Sequence, residues 1–442
     1  MEVRIEELKT GMLIEAYLGL EDRFATLDQK GCDWLKLNFA GTQTKVIREG
    51  ALKAVAVENL NPGDQPQQVT AFPQRLKHLT QVSDKLVLAL TQQGFSRFEV
   101  SLHEAPLAQE RHATHQKQVT QTANLVAKAK AGVAVRSQAV KAIESVMDGL
   151  AQGVSDLASL EPLVNSIVEN DYADAMSALA TLKESDHTYG HCVDVGAIFT
   201  GVYEKICALN GRVSQFESTQ ETFLSALLHD VGKSAIPKDI LESTVAFAKD
   251  SQEMKLLRGH PEKSGQILAE LGVSKVAINM ATYHHVKANA EVYTSYPRGA
   301  EFDDVMYETR LLGIVDVYQA LTGRRPYKKS WTAPAAMRYL DALAGVEFDE
   351  DVLDDFIAVL GLYPLGSYVV LSDKSEGFVM NVPEKPSRPL VAVLKDATGA
   401  KQSPAILIDL MVETGLKISG EIDPVEVFGE NALDEFISLK VK

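Results

Sequence analysis

The sequence predicts a multidomain, mainly α-helical protein. An all-helical metal-binding domain is expected between a small mixed α/β N-terminal domain and a small β-rich C-terminal region. Six of the ten histidines fall between positions 187 and 285, in a segment whose patterns are typical of helices. Short β-like runs separated by turn residues follow near the C-terminus. The expected parts are a regulatory or docking domain (1–105), a helical connector (106–164), the metal-binding domain (165–345) and a C-terminal extension (346–442).

The first part of the chain combines strand and helix patterns. Residues 35–39 alternate between apolar and polar side chains, as half-buried strands do. Residues 85–93 predict a short helix ended by Gly94, and a strand follows through residues 98–102. No catalytic constellation is visible in this part of the sequence. A sensory or docking role and a purely structural cap both fit the pattern.

The connector carries one apolar stripe, which is formed by Val140, Ile143, Met147 and Leu150. The segment is either a dimer-forming helix pair or the first helices of the next domain. The stripe is too short for a sustained coiled coil, which favours the second interpretation. Its basic residues are expected to form a solvated face: Lys117, Lys128, Lys130 and Arg136.

The metal-binding domain is organised around the pair His229-Asp230, which ends an apolar helical run and precedes Gly232. Both side chains are costly to bury unless a charged group compensates them. Neutral imidazole and carboxylate together suit a divalent cation such as zinc, iron or manganese. His187 and His191 stand at i, i+4 and would share one face of a helix. Further candidate ligands follow at His260, His284, His285 and Asp316.

The candidate ligands lie on predicted helices. His260 comes before Pro261, whose missing N–H indicates a helix start or kink. Ser274 is a suitable N-cap for a helix that ends near the adjacent histidine pair. Residues 310–321 predict an apolar helix in which Asp316 is the one carboxylate. An Asp among apolar neighbours needs a partner, and a metal ion is the obvious one.

The sequence of the C-terminal region contains no visible catalytic motif. Its β-like runs are 368–371, 377–380, 390–394 and 406–408.

Composition limits the partners. The formal net charge of −16 and pI near 5.2 disfavour DNA, RNA and anionic lipid. An anionic small substrate would need local cations, either metals or a few placed Lys and Arg. Three cysteines without a C-x-x-C pair favour a reducing compartment. No apolar run approaches the roughly 18 residues that would span a bilayer, and a cytoplasmic location is expected.

These motifs resemble the HD-GYP branch of the HD phosphohydrolases. The matching residues are His229-Asp230-Val231-Gly232-Lys233, Ile236-Pro237, Ile240-Leu241, His260-Pro261, His284-His285, Tyr296-Pro297, Asp316 and Arg325-Pro326-Tyr327-Lys328. The likeness is strong from about residue 165 to 345. Gly11-Met12 and Tyr363-Pro364-Leu365-Gly366-Ser367 are similar to pieces of the flanking regions in one bacterial HD-GYP architecture.

The resemblance implies a helical HD-type domain with two or three divalent metal ions, iron or manganese. It also implies hydrolysis of cyclic di-GMP to linear pGpG or GMP. The implied metal ligands are His191, His229, Asp230, His260, His284, His285 and Asp316, with Asp230 bridging two metals. His187 stands where some members have a Glu that binds a third metal and others have a non-ligand. Lys233, Arg325 and Lys328 would hold the phosphates, and His229, Asp230 and Lys233 would serve catalysis.

The sequence departs from the family pattern near the loop that, by the resemblance, helps shape the guanine pocket. Val286 follows the histidine pair where an acid is usual, and Ser295 stands in place of the Gly before Tyr296. Gln319 replaces the acid expected after Tyr318. Tyr296 either stacks on a guanine or packs its own loop. A different cyclic dinucleotide, such as cyclic GMP-AMP, is therefore one alternative substrate.

A catalytically silent protein that binds cyclic di-GMP is the other alternative, and the intact ligand set favours an enzyme. The protein partners that these interpretations allow are a second copy of the chain, a diguanylate cyclase or another signalling protein.

Overall fold

The computed structural model describes residues 2–10, 12–19, 44–49, 53–58, 75–92, 94–101, 104–154, 156–169, 188–243, 245–323, 330–382 and 385–442. The chain divides into two compact units, residues 1–116 and 117–442. The expected multidomain, mainly helical class with a mixed N-terminal part and a C-terminal sheet is confirmed.

The first unit is built on a four-stranded antiparallel sheet with strand order β1-β6-β2-β5. Its strands are β1 (Glu2–Arg4), β2 (Leu13–Leu18), β5 (Arg75–Gln81) and β6 (Arg97–Ser101), and a separate hairpin joins β3 (Thr44–Glu49) to β4 (Lys53–Glu58). Helix α1 (Asp84–Gln92) covers the sheet through its buried Leu90. Tyr17 packs edge-on against Phe95 and Phe98 in the core. The predicted helix and the strand after it are confirmed, and residues 35–39 lie outside the described residues.

A single helix of 48 residues, α2 (Glu104–Ala151), runs through the predicted connector. Ile143 and Met147 of its apolar stripe lie in the core of the helical domain, as expected for a first helix of that domain. Val126 and Ala129, further toward its N-terminus, pack against the C-terminal sheet. The predicted solvated face is wrong for Arg136, which is only 3% exposed. Its guanidinium forms a buried ion pair with Asp194.

The helical domain packs short helices around two apolar cores. Its helices are α3 (Glu161–Glu169), α4 (Tyr189–Asn210), α5 (Thr219–Leu227), α6 (Lys238–Leu241), α7 (Gln252–Arg258), α8 (His260–Glu270), α9 (Lys275–Tyr283), α10 (Tyr307–Thr322), α11 (Ala333–Asp341) and α12 (Glu350–Leu360), with a 3-10 helix at Val231–Ala235. Ser274 caps α9 by accepting a hydrogen bond from the N–H of Ala277, and Pro261 lies in the first turn of α8. Both predictions are confirmed. Ser274 satisfies an N–H that the helix start leaves free, and Pro261 has no N–H at a position where that group would lack a partner.

The C-terminal region is a five-stranded antiparallel sheet with strand order β10-β9-β8-β7-β11. Its strands are β7 (Tyr368–Leu371), β8 (Glu376–Val379), β9 (Leu390–Lys395), β10 (Lys401–Asp409) and β11 (Ile418–Ile422), followed by α13 (Pro424–Phe428) and α14 (Ala432–Ile437). One face packs Phe378 against Phe436 and the helix α2. The other face buries Val369, Val391 and Val393. The four predicted β-like runs are confirmed as strands. Side chains are buried on both faces of the sheet, which explains why these runs are nearly continuously apolar.

Among the helices of the described residues, none combines the length and the hydropathy that crossing a bilayer requires.

Candidate metal centre

Polar side chains from five helical elements converge inside the helical domain. His191 lies in the first turn of α4, and His229-Asp230 follow directly after α5. His260 opens α8, and His284 is the C-cap residue of α9. Asp316 lies in the middle of α10. Helix ends bring most of these side chains to one place, while the apolar faces of the same helices form the surrounding core.

The converging side chains form two groups of three. His191, His229 and Asp230 form one group, and His260, His284 and His285 form the other. Within each group the ligand atoms lie within 4.8 Å of one another. Asp230 faces both groups, because its Oδ2 lies 3.7 Å from His191 Nε2 and its Oδ1 lies 2.9 Å from His260 Nε2.

Asp316 also faces both groups. Its Oδ1 lies 3.0 Å from His191 Nε2, and its Oδ2 lies 3.7 Å from His285 Nδ1. The structure therefore brings seven of the eight predicted metal ligands together, and the eighth, His187, lies outside the described residues.

Main-chain carbonyls fix which nitrogen of three imidazoles carries the proton. Nδ1 lies 2.7 Å from the carbonyl oxygen of Ala226 in His229, 2.6 Å from that of Leu257 in His260 and 3.1 Å from that of Met280 in His284. A carbonyl oxygen only accepts, so each Nδ1 donates, and in the neutral ring the lone pair is on Nε2. The three Nε2 atoms lie 2.9–3.8 Å from the carboxylate oxygens of Asp230, so each ring presents Nε2 to the centre, the orientation that a metal-binding imidazole needs.

The centre contains buried polar atoms without a hydrogen-bond partner. His229 Nε2 and Asp230 Oδ1 are two of five such side-chain atoms among the described residues. His229 is 0% exposed and Asp230 is 1% exposed, so water does not compensate them. Lone pairs of imidazole and carboxylate that face one another are compensated by a cation. The donor set therefore fits divalent metal ions of the kind that nitrogen and oxygen ligands bind.

Electrostatics keep the carboxylates charged and two imidazoles neutral. Burial raises the pKa of Asp230, but Lys233 and the neighbouring imidazoles outweigh it and hold that pKa well below its usual range. Burial likewise opposes ionisation of Asp316, yet its histidine neighbours hold its pKa well below the usual value. Burial lowers the pKa of His284 to about 3 and moves that of His285 in the same direction. Charged carboxylates and neutral imidazoles are the protonation states that bind metal.

Lys233 lies beside the centre. Its Nζ donates to Asp230 Oδ2. Burial lowers the pKa of Lys233, but neighbouring anionic groups, Asp230 first among them, outweigh burial and raise that pKa. Gly232, next to Lys233, allows the 3-10 helix to pack closely on α8, because a Cβ there would lie 2.2 Å from the carbonyl oxygen of His260 and 2.5 Å from the nitrogen of Ser264. The charged ammonium is thus available next to the candidate ligands.

Tyr296 packs on the centre rather than standing free. Its ring stacks on His285 with centroids 4.4 Å apart and an interplanar angle of 29°. The guanidinium of Arg258 lies 5.5 Å from the same ring and 3.7 Å from that of Tyr293. Ser295 is buried, and its hydroxyl accepts a hydrogen bond from the N–H of Lys287. The loop that departs from the family pattern is therefore held by its own contacts.

Three buried residues behind His191 were not predicted from the sequence to belong to the site. Gln319 Oε1 lies 2.5 Å from His191 Nδ1, and Gln319 Nε2 donates to Asp194 Oδ2 over 3.2 Å. Arg136 forms a bidentate ion pair with Asp194 at 2.7 and 2.8 Å. The available signal was Asp194 itself, a carboxylate within an apolar helical run, which is the feature that singled out Asp316.

Two predicted substrate residues, Arg325 and Lys328, lie outside the described residues.

Comparisons with known proteins bear on this region. Residues 174–352 match a family model for the HD domain, and residues 368–430 match one for a KOW domain associated with the HD domain. The chain is 27% identical to a cyclic di-GMP phosphodiesterase of Pseudomonas aeruginosa, over 98% of this chain and 94% of that protein.

Two further relatives match over a shorter length. The cyclic di-GMP phosphodiesterase response regulator RpfG of Xanthomonas campestris pv. campestris is 33% identical over 30% of this chain and 34% of that protein. The 3'3'-cGAMP-specific phosphodiesterase 2 of Vibrio cholerae is 33% identical over 42% of this chain and 37% of that protein. The chain thus spans about a third of each of these two relatives.

Proposed function

The chain belongs to the HD-GYP family and is a metal-dependent cyclic dinucleotide phosphodiesterase; from this premise we propose that its substrate is cyclic di-GMP and that its products are pGpG, GMP or both. The proposal draws support from the first relative above, a cyclic di-GMP phosphodiesterase that matches nearly the whole chain.

One observation carries the catalytic part of the proposal. Asp230 and Asp316 each face both groups of imidazoles, at separations of 2.9–3.7 Å between nitrogen and carboxylate oxygen. Carboxylates that face two groups of nitrogen lone pairs allow two cations to be held close together. Pairs of metals at about 3.5–4 Å recur in phosphodiester hydrolysis.

The chain's own residues would hold two or three divalent ions, and we propose iron or manganese. The proposed ligands are His191, His229, Asp230, His260, His284, His285 and Asp316, with His187 available for a third ion. Bound metals lower the pKa of water and neutralise charge on phosphate oxygens. The carbonyl-held imidazoles of His229, His260 and His284 supply ligands whose orientation is fixed before a metal arrives.

Lys233 is the proposed phosphate contact closest to the ligands. Its ammonium has three donors, so it keeps its bond to Asp230 while donating to a non-bridging phosphate oxygen. A donor preset at this place stabilises the negative charge that develops during phosphodiester cleavage. We propose Arg325 as a bidentate phosphate contact and Lys328 as a point charge, from their positions in the motif. Tyr296, stacked on His285, would offer its outer face to the substrate's base.

The test is a comparison of substrates on protein loaded anaerobically with Fe²⁺ or Mn²⁺, with metal content measured on the same sample. Cyclic di-GMP, 3'3'-cGAMP and cyclic di-AMP are supplied in parallel, and products are followed by chromatography. We expect the highest kcat/KM for cyclic di-GMP, and the time course separates pGpG from GMP. Metal-loaded protein that hydrolyses none of the three would refute the proposal and favour a silent cyclic di-GMP-binding protein.

A second substrate, 3'3'-cyclic GMP-AMP, is favoured by a specific observation. The loop before Tyr296 carries Ser295 and a buried Lys287, and one relative, which matches 42% of this chain, is a 3'3'-cGAMP-specific phosphodiesterase. If this alternative is correct, kcat/KM for 3'3'-cGAMP exceeds that for cyclic di-GMP in the same assay.

A further inference from the structure

We infer that Gln319, Asp194 and Arg136 are positioning residues, which fix the orientation of the His191 imidazole so that its Nε2 faces the metal centre. All four side chains are buried, with exposures of 1% for Gln319, 0% for Asp194, 3% for Arg136 and 4% for His191. The inference rests on the proposed function in one respect, that His191 binds a metal ion.

The series of hydrogen bonds begins at an ion pair in which one partner only donates and the other accepts. Arg136 presents Nε to Asp194 Oδ1 and Nη2 to Asp194 Oδ2, at 2.7 and 2.8 Å. A guanidinium only donates, so both oxygens of Asp194 accept. The pair joins α2 to α4, and both residues are sealed from water.

This ion pair determines which way the Gln319 amide points. Asp194 accepts only, so the amide nitrogen of Gln319 must face it, as the 3.2 Å contact shows. A flipped amide would set its oxygen against the carboxylate. The amide oxygen therefore faces His191 Nδ1, at 2.5 Å.

The amide oxygen in turn determines the protonated nitrogen of His191. An oxygen that only accepts requires Nδ1 to donate, which leaves the lone pair on Nε2. That Nε2 lies 3.0 Å from Asp316 Oδ1 and 3.7 Å from Asp230 Oδ2. The other three imidazoles with a fixed Nδ1 use main-chain carbonyls for this purpose. His191, in the first turn of its helix, uses a side-chain amide instead.

The sequence spacing fits this role. Asp194 follows His191 by three residues on α4, and Gln319 follows Asp316 by three residues on α10. Each helix therefore presents one candidate ligand and one residue of the supporting chain on the same side. Gln319 stands where the family pattern has an acid, and the carboxylate of Asp194 lies next to its amide.

The experiment measures Mn²⁺ binding by calorimetry on metal-free protein, without substrate. Gln319→Leu removes the acceptor for His191, and we expect a Kd for Mn²⁺ weaker by about 10- to 100-fold. Asp194→Asn puts a donor where Oδ2 accepts from Gln319 and Arg136, so the Gln319 amide loses the acceptor that orients it. We expect this variant to bind Mn²⁺ more weakly than the wild type as well.

Controls separate positioning from folding. Gln118 donates to Asp409 at 2.6 Å in another part of the same unit, so Gln118→Leu is the matched control and should leave the Kd unchanged. Thermal unfolding of metal-free samples checks the fold, and Gln319→Met serves as a second acceptor-free variant if Gln319→Leu is unstable.

The outcomes distinguish this inference from the proposed function. Unchanged Mn²⁺ affinity in both acceptor-free variants overturns the inference, as does an Asp194→Asn variant that binds Mn²⁺ as tightly as the wild type. A wild-type chain that binds no Mn²⁺ or Fe²⁺ overturns the proposed metal centre itself.

Discussion

His260 Nε2 lies 2.9 Å from Asp230 Oδ1 inside the protein. His260 Nδ1 donates to the carbonyl oxygen of Leu257, at 2.6 Å, so the lone pair of the neutral ring is on the inner nitrogen. A buried carboxylate and an imidazole nitrogen this close need a cation between or beside them, either a proton on Nε2 or a metal ion that replaces that proton when it binds. The relationship is therefore a geometric sign of a metal-binding role.

Asp230→Ala is expected to abolish both metal binding and turnover, because Asp230 faces both groups of imidazoles. In wild type, a metal present at 100 times its Kd should stabilise the fold by about 2.7 kcal/mol. The melting temperature of the variant should not respond to added Mn²⁺. Calorimetry, metal analysis and thermal scans with and without Mn²⁺ check these expectations. Asp148→Ala is the control, since Asp148 pairs with Lys238 at the surface. Metal-dependent hydrolysis retained by Asp230→Ala would refute the assignment.

Lys233→Ala is expected to keep the metals but to lose rate. The variant removes one preset donor for phosphate, and loss of such a donor costs about 10²–10³ in kcat in known cases. Metal content and kcat are measured on the same preparation. Lys238→Ala is the matched control. Lys233 and Lys238 line one cavity, but Lys238 pairs with Asp148 instead of a candidate ligand. An empty metal site in Lys233→Ala would mean that Lys233 supports Asp230 rather than phosphate.

Local patterns in the sequence were sufficient for most of the fold. The cap at Ser274, the helix start at Pro261 and the β-like runs of the C-terminal sheet depend on neighbours within a few residues. The histidine and aspartate clustering also predicted which side chains converge. A single sequence is enough to predict such features, because caps, turns and periodicity depend on residues that are close together in the sequence.

The supporting residues could not be predicted in the same way. Arg136 stands on a helix with other basic residues, a pattern typical of a solvated face, yet its partner Asp194 is 58 positions away. Gln319 was interpreted as a departure from the family, and its contact with His191 spans 128 positions. Pairing between distant segments depends on how helices pack, which a single sequence does not specify.

Gly313→Ala is expected to destabilise the protein and to weaken metal binding. Gly313 lies on α10, where a Cβ would stand 2.5 Å from the carbonyl oxygen of His284. Alanine favours a helix over glycine by about 1 kcal/mol, but overpacking against a backbone atom costs about 1–3 kcal/mol. We expect the overpacking to dominate in denaturant unfolding. Gly415→Ala is the control, because no atom lies within 4 Å of its added Cβ. Equal stability of the two variants would contradict this packing.

The metal-free protein is expected to lose stability as the pH falls from 6.5 toward 4. Burial lowers the pKa of His284 from 6.5 to about 3, and that of His285 moves in the same direction. In this window the unfolded chain binds protons at these residues that the folded chain does not, so acid favours unfolding. His229 shifts the other way, and its contribution is fully present below pH 6.5. It therefore adds no slope in the window.

The His284→Gln variant isolates this effect. It removes one of the two protons taken up on unfolding, so its stability should fall less steeply, by up to about 1.4 kcal/mol per pH unit. Urea unfolding of metal-free protein at several pH values between 4 and 7 measures both slopes. His115→Gln, outside the centre, is the control for replacing a histidine. A wild-type stability that is flat or rises toward pH 4 would show that these imidazoles take up protons in the folded state. In that case a protonated His284 could not offer its lone pair to a metal, and binding would require proton release first.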